Sequence, residues 1–377
     1  MRFKVAILLI LILGLLLRCY NPNWDANNHL HPDERFLTMV GVAEKLPNSW
    51  SDYFNPQRSS LNPVNLGYNF FVYGNFPLIA NKLLAVLSNN DNYNAFTLQG
   101  RSLSALADFF CIFIVYQLVF VLEKKYRFSK KLKIYAAFFY AIAVLPIQLS
   151  HFFTVDTFLN CFMLLSLYQA LQYSLHNRIR YLALSAVFFG LALACKISAV
   201  FILPLVFFFL LRPERLFFKR EINLKKDLLR FIIFLGCVYL SLRIADPYKF
   251  ASENWLDFRP SSLYIENLKT LKVYDNPDVW YPPGVQWVNK SALIFAVTNL
   301  AVSGLGFFYF FLSVYGIYLV FREKKWQLQA IAIWVIVFFL YQSSQYVKTM
   351  RYFIFIYPFL AIFAAFGMER IFTIISK

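Results

Sequence analysis

Long apolar runs recur along this 377-residue chain and constrain its fold more than any other feature. A bilayer core about 30 Å thick needs roughly 20 apolar residues per helix, and about 17–25 are common. Ten runs approach or reach this length: 4–20, 102–122, 134–150, 157–174, 181–195, 197–211, 230–245, 303–321, 327–341 and 352–368. Because backbone polar groups cannot stay unpaired in lipid, each run is expected to be helical. We therefore predict an all-α, polytopic membrane bundle of about ten transmembrane helices, forming one domain over residues 1–377.

The composition agrees with this class and excludes others. Hydrophobic residues make up 59% of the chain and charged residues 15%. Soluble domains carry about 45–50% apolar and about 25% charged residues, so a soluble globular enzyme and a disordered chain are both excluded. The five cysteines form no C-x-x-C pair, which leaves no disulfide framework and no zinc ribbon. No G-x-x-x-x-G-K-[ST] loop occurs, so no nucleotide cofactor is expected.

The net charge of +17 is distributed unevenly along the chain. Six short segments carry 22 basic and 6 acidic residues, or +16 of the total: 1–4, 123–133, 175–180, 212–230, 322–326 and 369–377. Basic residues accumulate in the cytoplasmic segments of membrane proteins, so these segments and both termini are assigned to the cytoplasm. The charge therefore indicates orientation, and a nucleic-acid partner is not expected.

Two long segments, 20–101 and 246–302, then face outward and are expected to carry short amphipathic helices. No separate soluble C-terminal domain is expected after the tenth run. The predicted location is the plasma (inner) membrane, with many crossings and an extracytoplasmic site.

The first outer segment contains the densest polar cluster of the chain, Trp24 to Arg35. Asp33 and Glu34 follow a proline, which limits local backbone freedom, and either carboxylate could act as a general base. The alternative is structural: Asp33 would cap a helix over Glu34–Glu44. His29 and Arg35, in the same loop, are candidates for substrate contact.

Asp156 lies in the second outer loop, where a helix re-enters the membrane. An acidic residue at this depth is costly and is a functional candidate, although it could equally cap the helix 157–174. His31 and His151 fall in the two outer loops, so His31, His151, Asp33 and Asp156 together could bind a divalent metal such as Mg, Mn or Zn. That site would require folding to bring the two loops together.

Lys196 separates two short apolar runs and is expected at the outer membrane surface. It could neutralise a lipid phosphate or could extend to the interface as an isolated lysine. Lys348 and Arg351 also reach the outer edge, and the three cations could hold an anionic head group. Trp280 and Tyr281 are candidates for stacking on a sugar ring, while an interfacial aromatic belt is the plainer interpretation.

The ordered set of these motifs resembles the GT-C membrane glycosyltransferases, in particular bacterial relatives of protein O-mannosyltransferases and aminoarabinose transferases. The resemblance extends from the first to the tenth run. It is carried by His31-Pro32-Asp33-Glu34, Gly100-Arg101-Ser102-Leu103-Ser104-Ala105-Leu106, Leu145 to Thr157, Leu191-Ala192-Leu193-Ala194-Cys195-Lys196, and Met350-Arg351-Tyr352-Phe353 with Tyr357-Pro358.

This resemblance implies a sugar donor carried on a polyprenyl phosphate and an acceptor that is a glycan, a lipid or a protein, in a membrane-lipid environment. Asp33 would deprotonate the acceptor, Glu34 would position Asp33 or share a metal, and Asp156 would be the second acidic site residue. Lys196 and Arg351 would hold the departing phosphate, and the anomeric centre would be inverted.

Two other functions are compatible with the sequence. A flippase for a polyprenyl-phosphate sugar would also bind the head group, but it should carry polar residues at mid-membrane, where these runs are poor in charge. A non-catalytic membrane partner would bind a glycan or a glycan-assembly complex and would tolerate alanine at Asp33, Glu34 and Asp156.

Overall fold

The computed structural model describes residues 2–211 and 224–376. Residues 1 and 377, and residues 212–223 of the basic segment 212–230 predicted as cytoplasmic, lie outside that description. Within the described ranges, the secondary structure is helical, and the predicted all-α class is confirmed. The α-helices are α1 Arg2–Cys19, α2 Pro32–Ala43, α3 Trp50–Phe54, α4 Phe76–Leu87, α5 Tyr93–Tyr126, α6 Leu132–Ala141, α7 Val144–Ser150, α8 Val155–His176, α9 Ile179–Cys195, α10 Leu203–Leu210, α11 Leu224–Ala245, α12 Ser262–Val273, α13 Ala292–Asn299, α14 Phe307–Arg322, α15 Trp326–Ser344 and α16 Tyr357–Ile375.

Short 3₁₀ turns and one π turn connect or extend these helices. The 3₁₀ turns cover Pro63–Leu66, Ile197–Ile202, Pro247–Lys249, Pro282–Trp287 and Met350–Ile356, and the π turn covers Leu300–Gly304. Short helices α2, α3, α4 and α12 lie in the two long segments predicted to face outward, as expected.

Four helical segments among the described residues are long and apolar enough to cross a membrane: Tyr93–Tyr126, Leu224–Ala245, Trp326–Ser344 and Met350–Ile375. Two further pairs pass the same test only as broken spans, α6 with α7, bent by 53°, and Ala292–Gly304 with α14, bent by 117°. Length and composition therefore support four to six spans. The predicted number of ten stays a prediction, because runs such as 181–195 form helices below this length.

The chain divides into two compact units. One unit comprises 1–20, 105–151 and 274–377, and the other comprises 21–104 and 152–273. They are called here the terminal unit and the loop unit.

The terminal unit is built around α16, which packs against α6 and α14. Gly316 of α14 faces the Phe363 main chain so closely that a β-carbon would have no room. In the same unit, the Arg18 guanidinium of α1 pairs with Asp108 of α5 at 2.7 Å, and both side chains are fully buried. Such pairing is what makes charge tolerable among apolar helices.

The loop unit contains most of the candidate site residues. Helix α9 packs against α8 and α11, and α2 packs against α4. This packing supports the loops that precede α2 and α8, where the sequence placed the carboxylates.

Candidate active site

A histidine cap starts the helix that carries Asp33 and Glu34. His31 is the N-cap of α2, and its Nδ1 accepts a hydrogen bond from the Glu34 main-chain N–H at 3.3 Å. Pro32 occupies the first helical position, where a missing N–H costs no helical bond. The expectation that Asp33 caps this helix is wrong, since Asp33 is the second helical residue. Its partly exposed carboxylate lies at the positive end of the helix dipole.

Two carboxylates from the first outer segment pair with the Arg101 guanidinium of α5. The guanidinium donates to both oxygens of Glu34, at 2.8 and 2.7 Å, and to both oxygens of Asp25, at 3.0 and 2.7 Å. The exposed fractions are 2% for Arg101, 5% for Asp25 and 0% for Glu34. We call these three residues the Arg101 clamp. Two-pronged carboxylate–guanidinium pairs are strong and directional, so the clamp fixes the start of α2 against α5.

The Arg101 clamp has further support. The Pro22 carbonyl accepts from Arg101 at 2.8 Å, and the Trp24 ring lies 5.3 Å from the guanidinium carbon. Hydrogen bonds from Arg101 lower the pKa of Asp25, against the opposing effect of desolvation. Asp25 therefore stays charged in neutral solution, as a carboxylate buried against a guanidinium must if the pair is to hold together.

The clamp also joins the two outer loops. Glu34 Oε1 accepts a hydrogen bond from the Phe153 main-chain N–H at 2.7 Å, and the His31 ring lies against Phe152, with centroids 4.4 Å apart. The requirement that folding bring these loops together is thus met. Arg101 and Phe153 together occupy both Glu34 oxygens, and a catalytic or positioning role for Glu34 stays a prediction.

Asp156 is the second residue of α8, whose N-cap is Thr154, so the expectation that Asp156 caps this helix is wrong. Its carboxylate instead meets Lys196. The Lys196 Nζ donates to Asp156 Oδ1 at 2.9 Å, and the Asp156 side chain is 3% exposed. Lys196 is held by its position directly after α9, where Gly74 contacts the preceding residues. The Gly74 N–H donates to the Cys195 carbonyl at 2.7 Å, and a β-carbon on Gly74 would collide with the Ala194 carbonyl.

Comparisons with known proteins find a matching family model and solved structures with a similar fold. Residues 94–239 match the family model of dolichyl-phosphate-mannose-protein mannosyltransferases. The oligosaccharyltransferase of Archaeoglobus fulgidus, solved with Zn and sulfate, aligns with a TM-score of 0.64 and 16% identity over 98% of this chain and 49% of that one. The same organism's AglB, solved with an inhibitory peptide and a dolichol-phosphate, aligns with a TM-score of 0.64 and 14% sequence identity. The alignment covers 98% of this chain and 50% of that one. ArnT from Cupriavidus metallidurans, in the apo state, aligns with a TM-score of 0.53 and 15% sequence identity. The alignment covers 89% of this chain and 57% of that one.

This chain has the GT-C fold. The resemblance to GT-C glycosyltransferases predicted from the motifs is confirmed. The chain spans about half the length of the archaeal structures. No curated protein sequence matches it.

Two other predicted residues of the loop unit, His29 and Arg35, lie outside the Arg101 clamp. His29 is buried, with Nε2 facing Asn94 Oδ1 at 2.8 Å and Nδ1 facing Thr97 Oγ1 at 3.2 Å, so it fastens the loop to α5 of the GT-C fold. Arg35 is exposed. A role for either in substrate contact stays a prediction.

The remaining predicted residues belong to the terminal unit. The Lys348 ammonium donates to the Gln345 and Tyr346 carbonyls at 2.9 and 3.2 Å, and burial lowers its pKa. The Arg351 guanidinium lies 5.3 Å from the Tyr352 ring. Phosphate binding by these two cations stays a prediction.

Three more predicted residues of this unit have well-defined positions. Both ring nitrogens of His151 face carbonyl oxygens, those of Ile147 at 2.8 Å and Tyr20 at 2.9 Å. Trp280 is 80% exposed, and Tyr281 stacks on Tyr274 with centroids 4.5 Å apart.

The proposed metal ligands do not form a cluster. Over residues 2–211 and 224–376, no three His, Cys, Asp or Glu side chains are placed to hold a metal ion. The physical reason is local: Lys196 engages Asp156, and main-chain carbonyls face both His151 nitrogens. A divalent metal stays a prediction, and no step of the proposed reaction runs through one.

Arg101, Asp25 and Trp24 are the residues that sequence reasoning missed as parts of the site. The signal that could have identified Arg101 is an arginine at the beginning of an apolar run, where a charge needs a partner.

Proposed function

We propose that this chain is a membrane glycosyltransferase that moves a sugar from a polyprenyl-phosphate donor to an acceptor hydroxyl on the extracytoplasmic face. The observation that carries the proposal is the Glu34 bridge, which binds Arg101 and the Phe153 N–H at once. It holds the beginning of the Asp33 helix beside the loop that leads to Asp156 and Lys196. The matched mannosyltransferase family model supports the same activity.

In the proposed reaction, Asp33 accepts the proton of the acceptor hydroxyl. The acceptor oxygen then forms a bond to the anomeric carbon while the bond from that carbon to the phosphate oxygen breaks. The electron pair of the broken bond leaves with the polyprenyl phosphate, and attack opposite this group inverts the anomeric centre. The part of the site that must not move is the beginning of α2, which the Arg101 clamp fixes.

Lys196 is proposed to stabilise the charge that develops on the leaving phosphate. Its pairing with Asp156 keeps the ammonium at a fixed position before the donor binds. Electrostatic stabilisation of a developing charge is usually the largest single contribution to catalysis in such a site. Asp156 is thus assigned a positioning role.

Asp33→Asn tests the assignment of the base. The variant keeps the size of the side chain but cannot take up the proton, so sugar transfer in membranes should fall by about 10²-fold or more, as expected for loss of a general base. Transfer is measured with a radiolabelled polyprenyl-phosphate sugar and membrane extract as acceptor. The matched control is Asp278→Asn, a change at an exposed aspartate, which should retain full activity.

Full transfer by a well-inserted Asp33→Asn variant would exclude this assignment. Movement of intact donor lipid across vesicles without transfer of its sugar would indicate the flippase instead. The sugar and the acceptor would be identified by mass analysis of surface glycans with and without the protein.

A further inference from the structure

A cavity of about 310 Å³ lies within the loop unit and is lined by residues other than those of the Arg101 clamp. Its walls come from residues 56–75 of the first long outer segment and 248–267 of the second. This volume is at the lower end of the range of small-molecule sites, about 300–1,000 Å³. The proposed reaction assigns no role to this cavity.

Three buried polar atoms of the cavity lining have no hydrogen-bond partner among the described residues: Asn75 Oδ1, Lys249 Nζ and Tyr264 Oη. Asn75 is 4% exposed and Lys249 is 8% exposed. Buried polar atoms are nearly always satisfied, and leaving one unpaired is costly. Three such atoms around one cavity indicate that something polar fills it.

The orientation of the Asn75 amide follows from its neighbours. Its main-chain N–H and its Nδ2 both donate to the buried Asp246 carboxylate, at 3.0 and 2.7 Å. Exchanging the amide oxygen and nitrogen would place an oxygen against that carboxylate. Asn75 Oδ1 is therefore fixed as an acceptor.

Lys249 Nζ and Tyr264 Oη can donate hydrogen bonds, which Asn75 Oδ1 cannot. Lys249 Nζ lies 3.6 Å from Asp246 and 3.9 Å from the centre of the Tyr264 ring, and it can only donate. Tyr264 Oη can donate or accept. The cavity thus offers both donors and an acceptor, with its one ammonium already balanced by a carboxylate.

This mixture distinguishes between ligand classes. A phosphate or carboxylate is an anion that offers mainly acceptors, and it would face Asn75 Oδ1 and the Asp246 carboxylate unfavourably. A hydroxyl group both donates and accepts, so a polyhydroxylated ring can satisfy all three atoms. Phe71 and Tyr248 add apolar aromatic surface, which suits the C–H faces of a sugar ring.

We propose that this cavity binds a single saccharide unit through Asn75, Lys249 and Tyr264. The proposal rests on the proposed function, because glycosyl transfer would bring a saccharide to this part of the molecule. The saccharide belongs either to the lipid-linked donor or to a glycan acceptor. The two sources share this chemistry, and the experiment separates them.

The test uses the full chain in lipid nanodiscs and saturation-transfer NMR, which detects weak binding. The probes are methyl α-D-mannoside, methyl β-D-glucoside and methyl N-acetyl-β-D-glucosaminide, with inorganic phosphate as the comparison. At least one glycoside should bind and phosphate should not displace it. Displacement by polyprenyl-phosphate sugar but not by polyprenyl phosphate would identify the donor as source, and displacement by a short oligosaccharide would identify the acceptor.

Two variants locate the binding. Tyr264→Phe removes a hydroxyl that lies near the Lys249 ammonium but makes no direct hydrogen bond within normal geometry, so the fold is expected to be retained and glycoside affinity should fall about tenfold. Ser262→Trp places a large ring at the exposed rim and should abolish binding. The matched controls are Tyr318→Phe and Ser51→Trp, at exposed positions outside the cavity, and both should bind as wild type.

The proposal is overturned if no glycoside binds the folded protein, if phosphate competes with the glycoside, or if both cavity variants bind like wild type. The first outcome would mean that water alone fills the cavity. Sugar transfer is measured on the same samples. Transfer without cavity-dependent binding would refute this proposal alone, and cavity-dependent binding without transfer would refute the proposed function alone.

Discussion

Glu44, the C-cap of α2, is a buried carboxyl group whose two oxygens have no hydrogen-bond partner among the described residues. Desolvation raises its pKa well above the usual range, and the nearby Lys82 opposes this only in part. The folded protein therefore holds a proton that an unfolded chain would release at an ordinary glutamate pKa of about 4.3. Such a group destabilises the fold increasingly as the pH rises above that ordinary value.

Glu44→Gln should remove this dependence, because glutamine cannot ionise. The apparent melting temperature of the variant should match that of wild type near about pH 5 and exceed it increasingly toward about pH 8. Thermal unfolding in detergent at several pH values measures the difference. The exposed Glu266→Gln change is the matched control, and melting curves of Glu44→Gln that stay parallel to wild type across the range would contradict the argument.

At the same scale, the sequence identified carboxylates better than it identified their partners. Asp33, Glu34 and Asp156 stood out because acidic residues are rare in an apolar chain. Arg101 did not, because its partner Glu34 is 67 positions away along the chain. Only folding shows that Glu34 is paired with Arg101 while Asp33 stays partly exposed, so the residue type alone could not distinguish their surroundings.

At the scale of the element, apolar length predicted where helices occur but not where they break. The run 134–150 was expected as one span, yet α6 and α7 meet at a bend of 53°. Pro146 lies in the first turn of α7, and a proline there cannot continue the hydrogen bonds of a preceding helix. The run 303–321 likewise begins with a π turn before Gly306, whose φ of +82° precedes α14.

Gly74 shows how one element fixes another. It contacts the end of α9 directly before Lys196, and its main chain bonds to Cys195. Gly74→Ala should force these two segments apart, costing about 1–3 kcal/mol, as overpacking does, and it should lower sugar transfer by displacing Lys196. Melting temperature and transfer rate are measured on the same preparation.

Gly236→Ala is the matched control, since a β-carbon at Gly236 in α11 meets nothing within 4 Å. That change should be neutral or slightly stabilising, because alanine favours a helix over glycine. A Gly74→Ala variant with the stability and activity of Gly236→Ala would show that the close approach to α9 is not needed.

At the scale of the whole molecule, the distribution of charge predicts orientation. The six segments assigned to the cytoplasm carry +16, while the rest of the chain holds 15 basic and 14 acidic residues. The direction of insertion is argued from this charge distribution alone. The proposed reaction depends on this orientation, because Asp33 and Lys196 would then face the extracytoplasmic side.

Cysteine labelling tests the orientation directly. In a chain whose five native cysteines are replaced by serine, Ser51→Cys in segment 20–101 should react with a membrane-impermeant maleimide on intact cells. Ser129→Cys in the basic segment 123–133 should react only after lysis. Both positions are exposed, so a difference in labelling reports the side of the membrane and not burial. The reverse pattern would place the Arg101 clamp on the cytoplasmic side. Nucleotide sugars are available there, so a lipid-linked donor would not be needed.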